Sequence, residues 1–452
     1  MFAGVEPSPD TLVRPAARDA LGRAAPLFEL VGRQTRLLDA LAWPRAVEER
    51  FFERGEQELP EPAYDLDRAR AQANVIELEQ LAMTLDVQDP VQHWLATQCR
   101  SYADGNRMVL AIGTKRFSEI SRDVFGGPSS RFDADTTNLD LARHLEQRLF
   151  GVEARRRERR RKAKGQKALL PREADTLDAE QFAVELVAMS KTIGLPVEVV
   201  VDENVTAKVA AGTERVRVRK GATFHRWELE GLFVHEVETH ALTAQNGAAC
   251  AQLPFLKSGG PRTTRTQEGL AVFAEFHAHA LPVERMERIV RRVRLVAMAE
   301  DGATFLDLYR FLLGAGTAPR DAYFDAQRIC RGGLVEGGAP FTKDAAYLAG
   351  FMEVFNFLQI AARGGAREEV ELLATGRIAL EDLAVLRILR RAGVLERPKR
   401  MPRWMQRWHT LVPFFAVSSF LAAIDLESVA GRYTALLGED EVAESIETGP
   451  EG

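Results

Sequence analysis

Cysteine is scarce in this 452-residue sequence, which contains three. Cys99, Cys250 and Cys330 lie far apart, and none belongs to a C-x-x-C pair. Domains that depend on disulfides carry more cysteines, in even numbers, so this distribution argues against a disulfide framework. We therefore expect a cytoplasmic protein with reduced thiols.

Long apolar runs and an excess of one charge are also missing. The longest apolar run, residues 411–424, is interrupted by Pro413 and by two serines, and it is shorter than the about 20 residues of a membrane-spanning helix. We interpret it as a buried core helix. The N-terminal residues do not combine a basic segment with an apolar one, as a signal peptide does. With 60 basic and 65 acidic residues, the composition predicts neither a membrane nor a specific nucleic acid as partner.

Basic residues are concentrated in one segment. Residues 155–167 contain nine arginines and lysines and a single glutamate. A charge block of this kind is typical of a solvated linker, and it could also bind an acidic partner. We assign residues 151–175 to a basic linker and keep docking to an acidic partner as the alternative.

The rest of the sequence predicts an α+β fold in which helices dominate. Apolar residues recur at helical spacing through residues 24–150 and again from residue 228 onward. Between these regions are three short segments rich in β-branched residues, which we expect to form a small antiparallel sheet. The segments are residues 197–201, 205–210 and 215–220.

One predicted helix carries residues suited to chemistry. The segment 223–247 has the apolar stripe of a core helix, yet it contains His235, Glu236 and His240. Burying these groups costs free energy unless a metal ion organises them. In an ideal α-helix, residues i and i+5 point about 140° apart, so the H-E-x-x-x-H spacing would separate the two histidines. We therefore predict a π-bulge or a helix break between Val234 and Leu242.

A third ligand is expected in the next predicted helix. A catalytic zinc ion takes three protein ligands and leaves one position for water. Thr264 and Gln267 match a capping box, which would place Glu268 in the first helical turn, where the helix dipole favours an ionised carboxylate. We predict Glu268 as this ligand and Glu275, seven residues further on, as a carboxylate that orients a ligand imidazole.

Glu236 has a separate predicted role because it adjoins a ligand. Its carboxylate can take a proton from a water molecule as that water attacks a carbonyl, and it can then pass the proton to the leaving amine. This chemistry is amide hydrolysis, with Glu236 as the general base.

The motifs HEVETH, AQNG and TQEGLA, which lie within residues 235–271, resemble two related groups of proteins. One is the QEGLA-motif family, whose bacterial members are called flavohemoglobin expression-modulating proteins, and the other is the microtubule-associated tyrosine carboxypeptidases. The resemblance spans residues 25–400. It implies a metallopeptidase with a zincin-like core that removes C-terminal residues from a peptide or protein. It also implies one zinc ion per chain, bound by His235, His240 and Glu268, with Glu236 catalytic.

The Gly-rich segment 328–350 resembles these families too. A carboxypeptidase must hold the terminal carboxylate of its substrate, and Arg331 and Lys343 are our candidates for this task. Tyr347 is the candidate donor to the developing oxyanion. We expect strand 215–220 to be an edge strand that pairs with the substrate backbone. Glu238 stands where many relatives have Gly, which could alter the shape of the pocket.

Two other functions use the same residues. Two histidines and one carboxylate also form the iron-binding triad of non-haem Fe(II) oxygenases, although such enzymes need no general base like Glu236 beside the metal. Alternatively, the protein is a regulatory binding protein whose metal site is structural or vestigial. The identity of the bound metal separates the hydrolase from the oxygenase.

These inferences divide the chain into five parts. They are a flexible N-terminus (1–23), a helical region packed on the core (24–150), the basic linker (151–175), the metallopeptidase catalytic domain (176–430) and an acidic C-terminal tail (431–452).

Overall fold

The computed structural model describes residues 12–147, 176–203, 205–212 and 215–422. This part of the chain is predominantly helical and contains two small sheets, which confirms the predicted α+β class. The basic run 155–167, the linker 151–175 and the acidic tail 431–452 lie outside the described residues. The zincin-like character of the core stays a prediction.

Helices make up the N-terminal region. Their bounds are α1 (Pro15–Gln34), α2 (Leu37–Ala40), α3 (Arg45–Glu53), α4 (Arg68–Met83), α5 (Pro90–Leu110), α6 (Lys115–Phe125) and α7 (Asn138–Leu145). The prediction of a flexible segment over residues 1–23 is wrong from residue 15 onward, because α1 begins at Pro15 and buries Ala17, Ala20 and Leu21. Proline is well tolerated in the first turn of a helix, and small apolar residues at helical spacing pack closely, so this segment is ordered from its first turn.

The N-terminal helices share an apolar core with the second half of the chain. Phe28 of α1 stacks on Tyr102 of α5, with ring centroids 5.2 Å apart, and meets the edge of Phe255 at 5.0 Å. A second cluster joins Trp43 to Phe305, whose ring centroids are 5.9 Å apart. Residues 24–147 are therefore packed on the remainder of the described fold through buried aromatic residues.

The described residues include five short strands, which form two sheets. The strands are β1 (Thr176–Leu177), β2 (Glu198–Asp202), β3 (Val209–Ala211), β4 (Arg215–Arg219) and β5 (Phe224–His225). β1 and β5 form an antiparallel pair, and the other sheet has the order β2-β4-β3.

The three-stranded sheet departs from two predictions. β3 pairs antiparallel with β4 as expected, but β2 pairs parallel with β4, so the sheet is mixed. β4 also lies in the centre rather than at an edge, because β2 and β3 occupy both of its sides. With its backbone groups already paired, the strand at 215–220 has no free edge for a substrate. β3 is the edge strand that packs against the histidine-bearing helix.

The second half of the chain is again mainly helical. Its α-helices are α8 (Ala179–Thr192), α9 (Glu228–Leu232), α10 (Leu242–Ala248), α11 (Thr264–His277), α12 (Val283–Glu300), α13 (Phe305–Gly314), α14 (Pro319–Cys330), α15 (Ala346–Gly364), α16 (Arg367–Leu372), α17 (Leu383–Arg391), α18 (Arg403–Gln406) and α19 (Trp408–Ala422). A π-helix spans Phe233–Ala241, and 3-10 helices span Pro254–Lys257, Pro261–Thr263, Thr342–Ala345 and Leu380–Asp382.

Helices α11 and α15 cross at two glycines. A methyl group on Gly269 would collide with the backbone carbonyl of Gly350, and one on Gly350 would collide with that of Arg265. Only residues without a side chain allow two helix backbones to approach this closely. The crossing brings Glu268, which precedes Gly269, next to the N-terminal end of α15.

Two apolar helices are relevant to the prediction that the chain has no membrane-spanning helix. The continuous helical stretch Thr342–Gly364 is long and apolar enough to cross a membrane by length and composition, but 61% of its most apolar window is buried inside the protein, as in a core helix. The run predicted as a buried core helix corresponds to α19. This prediction holds for one face, on which Leu411 is buried, and is wrong for the other, on which Val417 and Phe420 are exposed.

Candidate metal centre

The π-helix places both motif histidines on one side. Because a π-helix adds one residue to each turn, residues five apart lie on the same face. The imidazole rings of His235 and His240 have their centroids 5.0 Å apart, at an angle of 82°. The helix spans Phe233–Ala241, so the bulge predicted between Val234 and Leu242 is confirmed.

Glu268 of α11 completes a group of three metal-binding side chains. Its Oε2 atom lies 3.5 Å from Nε2 of His235 and 3.6 Å from Nε2 of His240. One donor atom from each of the three residues lies within 4.8 Å of the other two. Ligands about 2.0–2.2 Å from a tetrahedral ion are separated by about 3.3–3.6 Å, so the two distances from Glu268 to the histidines match those around a bound metal ion.

The environment of Glu268 also fits a cation. Its Oε2 atom is buried and has no hydrogen-bond partner within the described part of the chain. A buried carboxylate oxygen without a partner is costly, and a metal ion would remove that cost. Two nitrogens and one oxygen are a common catalytic zinc set, and they also suit iron.

The capping box predicted at the start of α11 is wrong. The helix begins at Thr264 with Thr263 as its N-cap, and no side chain caps it. The helix dipole acts most strongly on the first turn of a helix. Glu268 is the fifth residue of α11 and therefore lies beyond that turn. A different charge stabilises the Glu268 carboxylate.

That charge belongs to Lys343, whose Nζ donates to Oε1 of Glu268 at 2.6 Å. Burial alone would raise the pKa of Glu268, but Lys343 and the two imidazoles outweigh burial and hold that pKa well below its usual range. Burial would likewise lower the pKa of Lys343, and the Glu268 carboxylate raises it instead. Both groups are therefore ionised, and Lys343 occupies one carboxylate oxygen while the other faces the histidines.

Glu275 orients the first histidine, in the position predicted for it. Its Oε1 lies 2.6 Å from Nδ1 of His235, and Arg285 donates to both of its oxygens at 3.1 Å. Burial would raise the pKa of Glu275, but Arg285 and His235 lower it to about 2. An ionised Glu275 accepts the Nδ1 hydrogen of His235 and so leaves Nε2 directed at the metal position.

Burial would lower the pKa of His235, but the neighbouring carboxylates of Glu268 and Glu275 outweigh burial and raise it to about 10. The surrounding carboxylates therefore favour a positive charge at this point of the site. A bound metal ion would supply that charge in place of the proton.

Glu236 is buried with one oxygen held by the sheet. Its Oε2 accepts from the backbone N–H of Ala211, the last residue of β3, at 2.7 Å. Its Oε1 lies 4.0 Å from Nε2 of His235, on the side of the metal position. One oxygen is thereby fixed, and the other is available to a water molecule beside the metal.

The residues predicted from the Gly-rich segment have different surroundings. Tyr347 is buried, and its hydroxyl lies 3.5 Å from Nζ of Lys343 and 3.4 Å from Nη2 of Arg328, so it accepts from both. Arg331 is buried with its guanidinium 5.5 Å from the ring centroid of Phe341. Burial lowers the pKa of Arg331 to about 10. A carboxylate-binding role for Arg331 and Lys343 stays a prediction, and Lys343 is already bonded to Glu268.

Glu238 does not enter the metal site. It is buried and accepts from Nε of Arg403 at 2.8 Å and from the Arg403 backbone N–H at 3.2 Å. Its carboxylate joins the π-helix to α18 and forms a structural ion pair.

Sequence reasoning missed three contributors to the site. They are Arg285, the backbone N–H of Ala211, and Arg377, whose Nη2 donates to the carbonyl of Ala211 at 3.2 Å. Arg285 and Arg377 are two of many arginines in the sequence and carry no motif, and a backbone amide leaves no sequence signal. Contacts between segments distant in the chain create their roles.

The sequence matches a known protein family. A family model described as "Microtubule-associated tyrosine carboxypeptidase" matches residues 49–423, which is more than half of the chain and includes every residue of the site. No curated protein sequence matches the chain.

Proposed function

Because the chain belongs to the microtubule-associated tyrosine carboxypeptidase family, we propose that it is a zinc-dependent carboxypeptidase. Membership of this family supports a peptidase of the carboxypeptidase type. The observation that carries the zinc-dependent mechanism is the convergence of His235, His240 and Glu268 within 4.8 Å, with Glu236 beside them.

The chemistry proposed for the site is hydrolysis of an amide bond. When bound to His235, His240 and Glu268, the zinc ion supplies Lewis acidity that polarises the scissile carbonyl and makes water more acidic. Glu236 accepts a proton from the attacking water through Oε1 while Ala211 holds Oε2. Glu236 then gives the proton to the leaving amine as the C–N bond breaks, so it returns to its ionised form.

Tyr347 is the proposed donor to the developing oxyanion. Its oxygen accepts from Lys343 and Arg328, so its own hydrogen remains available for a substrate oxygen. Two neighbouring cations make the hydroxyl a stronger donor. Removing one donor of this type costs about 10²–10³-fold in kcat.

The proposed substrate is a peptide or protein with a free C-terminus. The three cysteines are buried and unpaired, which supports the further proposal of a cytoplasmic location.

The test combines metal analysis with peptide hydrolysis. The full chain is purified without a metal-affinity step, and its metal content is compared with that of His240→Ala and Glu268→Ala. We expect about one zinc ion per chain in the native protein and a large loss in both variants. The native protein should release single residues from free C-termini, and Glu236→Gln should retain zinc and lose about 10²–10⁴-fold in kcat.

Other outcomes would replace the proposal. Iron in the native protein would favour the oxygenase alternative, since the same three ligands bind Fe(II). A well-folded chain without any metal would favour a regulatory binding protein. If Glu236→Gln binds zinc and keeps full peptidase activity, only the proposed role of Glu236 as general base is contradicted.

A further inference from the structure

Arg377 is a cation at the metal site that the proposed mechanism does not use. It lies in the loop between α16 and the 3-10 helix Leu380–Asp382. Its Nη2 donates to the carbonyl of Ala211, the residue whose N–H holds Glu236. Arg377 and the proposed general base are therefore both bound to the backbone of one residue at the end of an edge strand, Arg377 through its C=O and Glu236 through its N–H.

The backbone of Arg377 is held rigidly. Its N–H donates to the carbonyl of Leu256 at 2.7 Å. A side chain on Gly259 would come within 2.8 Å of the Arg377 carbonyl, so the two loops pack in direct contact. Thr375 and Ile378, on either side, are buried. A loop fixed in this way presents the guanidinium in a defined position.

The guanidinium has unused capacity to donate. Its Nε is buried and lacks a hydrogen-bond partner, and no carboxylate of the described residues forms an ion pair with it. Burial lowers the pKa of Arg377, and Glu236 and Glu268 counteract this effect. Keeping a poorly paired guanidinium in such surroundings costs free energy, which an anion bound beside it would offset. The residue as a whole is only half-buried.

Most other cations near the site already have carboxylate partners. Lys343 is bonded to Glu268, Arg285 binds Glu275, and Arg328 binds Asp344 through two hydrogen bonds of 2.7 Å. Arg331 has no carboxylate ion-pair partner among the described residues, but its guanidinium lies against Phe341, and the charges of Arg328 and Asp344 act on it. Arg377 alone combines an unpaired guanidinium with a contact to the residue that holds Glu236, within the described part of the chain.

We propose that Arg377 binds the terminal carboxylate of the substrate and so restricts cleavage to free C-termini. The inference rests on the proposed carboxypeptidase function and assigns the substrate-binding cation within it. A guanidinium next to Ala211 would hold the carboxylate while the adjoining peptide bond lies beside Glu236. Arg331 and Lys343, predicted for this role from sequence, are then residues of the surrounding charge network.

The experiment measures binding separately from hydrolysis. The full chain with Glu236→Gln, incubated with zinc, is titrated with two pools of dodecapeptides randomised at their last two positions, one with free C-terminal carboxylates and one with C-terminal amides. Because hydrogen bonds to charged groups contribute about 1.5–3 kcal/mol, the free-acid pool should bind about 10- to 100-fold more tightly, and Arg377→Gln should reduce that preference below about twofold.

Three further variants make the result specific. Arg377→Lys keeps the charge without the planar fork and should give an intermediate preference. Arg387→Gln, which removes an exposed arginine paired with Glu369, should leave the preference intact. Arg331→Gln decides between the two candidate arginines. Melting temperatures and zinc content of each variant show whether the fold and the metal site survive.

A preference for the free acid that survives Arg377→Gln overturns the proposal, as does a preference that depends on Arg331 instead. Equal binding of the two pools by the chain with Glu236→Gln, or binding of neither, overturns it as well. Hydrolysis by the native chain tests the proposed function separately. If the free-acid preference depends on Arg377 but the native chain cleaves no peptide, the role of Arg377 is supported and the peptidase function is contradicted. If the native chain cleaves peptides but the preference does not depend on Arg377, the peptidase function is supported and the role of Arg377 is contradicted.

Discussion

Lys343 and Glu268 form a buried ion pair in which Nζ lies 2.6 Å from Oε1, while Oε2 of the same carboxylate faces His235 and His240. The two oxygens of Glu268 therefore have different partners. One is neutralised by the protein, and the other is available to a metal ion.

This division predicts that zinc and Lys343 stabilise the same carboxylate. In the metal-free protein, Lys343→Met should lower the free energy of unfolding by about 3–5 kcal/mol, because the buried Glu268 carboxylate loses its partner. With zinc the loss should be smaller, since the ion supplies positive charge to Glu268. Thermal unfolding of both proteins with a chelator and with added zinc measures the difference. Equal losses in the two conditions would show that zinc does not bind Glu268.

Glu275 is predicted to control zinc affinity through His235. Glu275→Gln removes the carboxylate that accepts from Nδ1 and should weaken zinc binding about 10- to 100-fold, the usual effect of losing such a partner. Competition with a chromogenic chelator measures the dissociation constant. Glu371→Gln, which removes a carboxylate paired with Arg367 away from the site, serves as the control and should bind zinc like the native chain. Unchanged affinity in Glu275→Gln would refute the orienting role.

The helix crossing at Gly269 is predicted to be intolerant of a methyl group. Gly269→Ala would force α11 away from α15 and should destabilise the fold by about 1–3 kcal/mol or more, with loss of zinc because Glu268 moves as well. Gly22→Ala in α1 is the matched control. Among the described residues, nothing beyond its chain neighbours and the backbone of its own helix lies within 4 Å of the added methyl group, so that variant should be more stable by about 0.5–1 kcal/mol. Similar stability of the two variants would contradict the close approach of the helices.

Asp344 is predicted to make the fold sensitive to acid. Burial would raise the pKa of Asp344, but Arg328 and Arg292 outweigh burial and hold it below its ordinary value near 3.8. A carboxyl group with a lowered pKa stabilises the fold above its unfolded-state pKa, and this contribution is lost as the pH falls below about 4.

Asp344→Asn should therefore lower the free energy of unfolding by about 3–5 kcal/mol at neutral pH, because Arg328 loses its bidentate partner. The difference in stability between the variant and the native chain should narrow below pH about 4, because the unfolded native chain then binds a proton at Asp344 that the folded carboxylate, with its lowered pKa, does not. Melting temperatures between neutral and acidic pH test this. If the difference in melting temperature between the two proteins stays constant from neutral to acidic pH, unfolding does not change the protonation of Asp344.

The sequence predicted the centre of the site well because local chemistry determines it. His235 and His240 are five positions apart in an apolar helix, and both imidazoles reach one side when the turn between them contains an additional residue. The π-helix provides that residue. Glu268 was predicted from the need for a third ligand. The helical content followed from apolar spacing, which is also a local property.

Contacts between distant segments decided the rest. The central position of β4 depends on which strands flank it, and the spacing of residues within a strand does not encode that order. The partner of Glu268 proved to be Lys343 rather than a helix dipole, and Arg285 and Arg377 have their roles through contacts 10 and 166 residues away along the chain. A sequence states which charges exist. Only packing decides which of them share a buried space, because the strength of an ion pair depends on distance and burial.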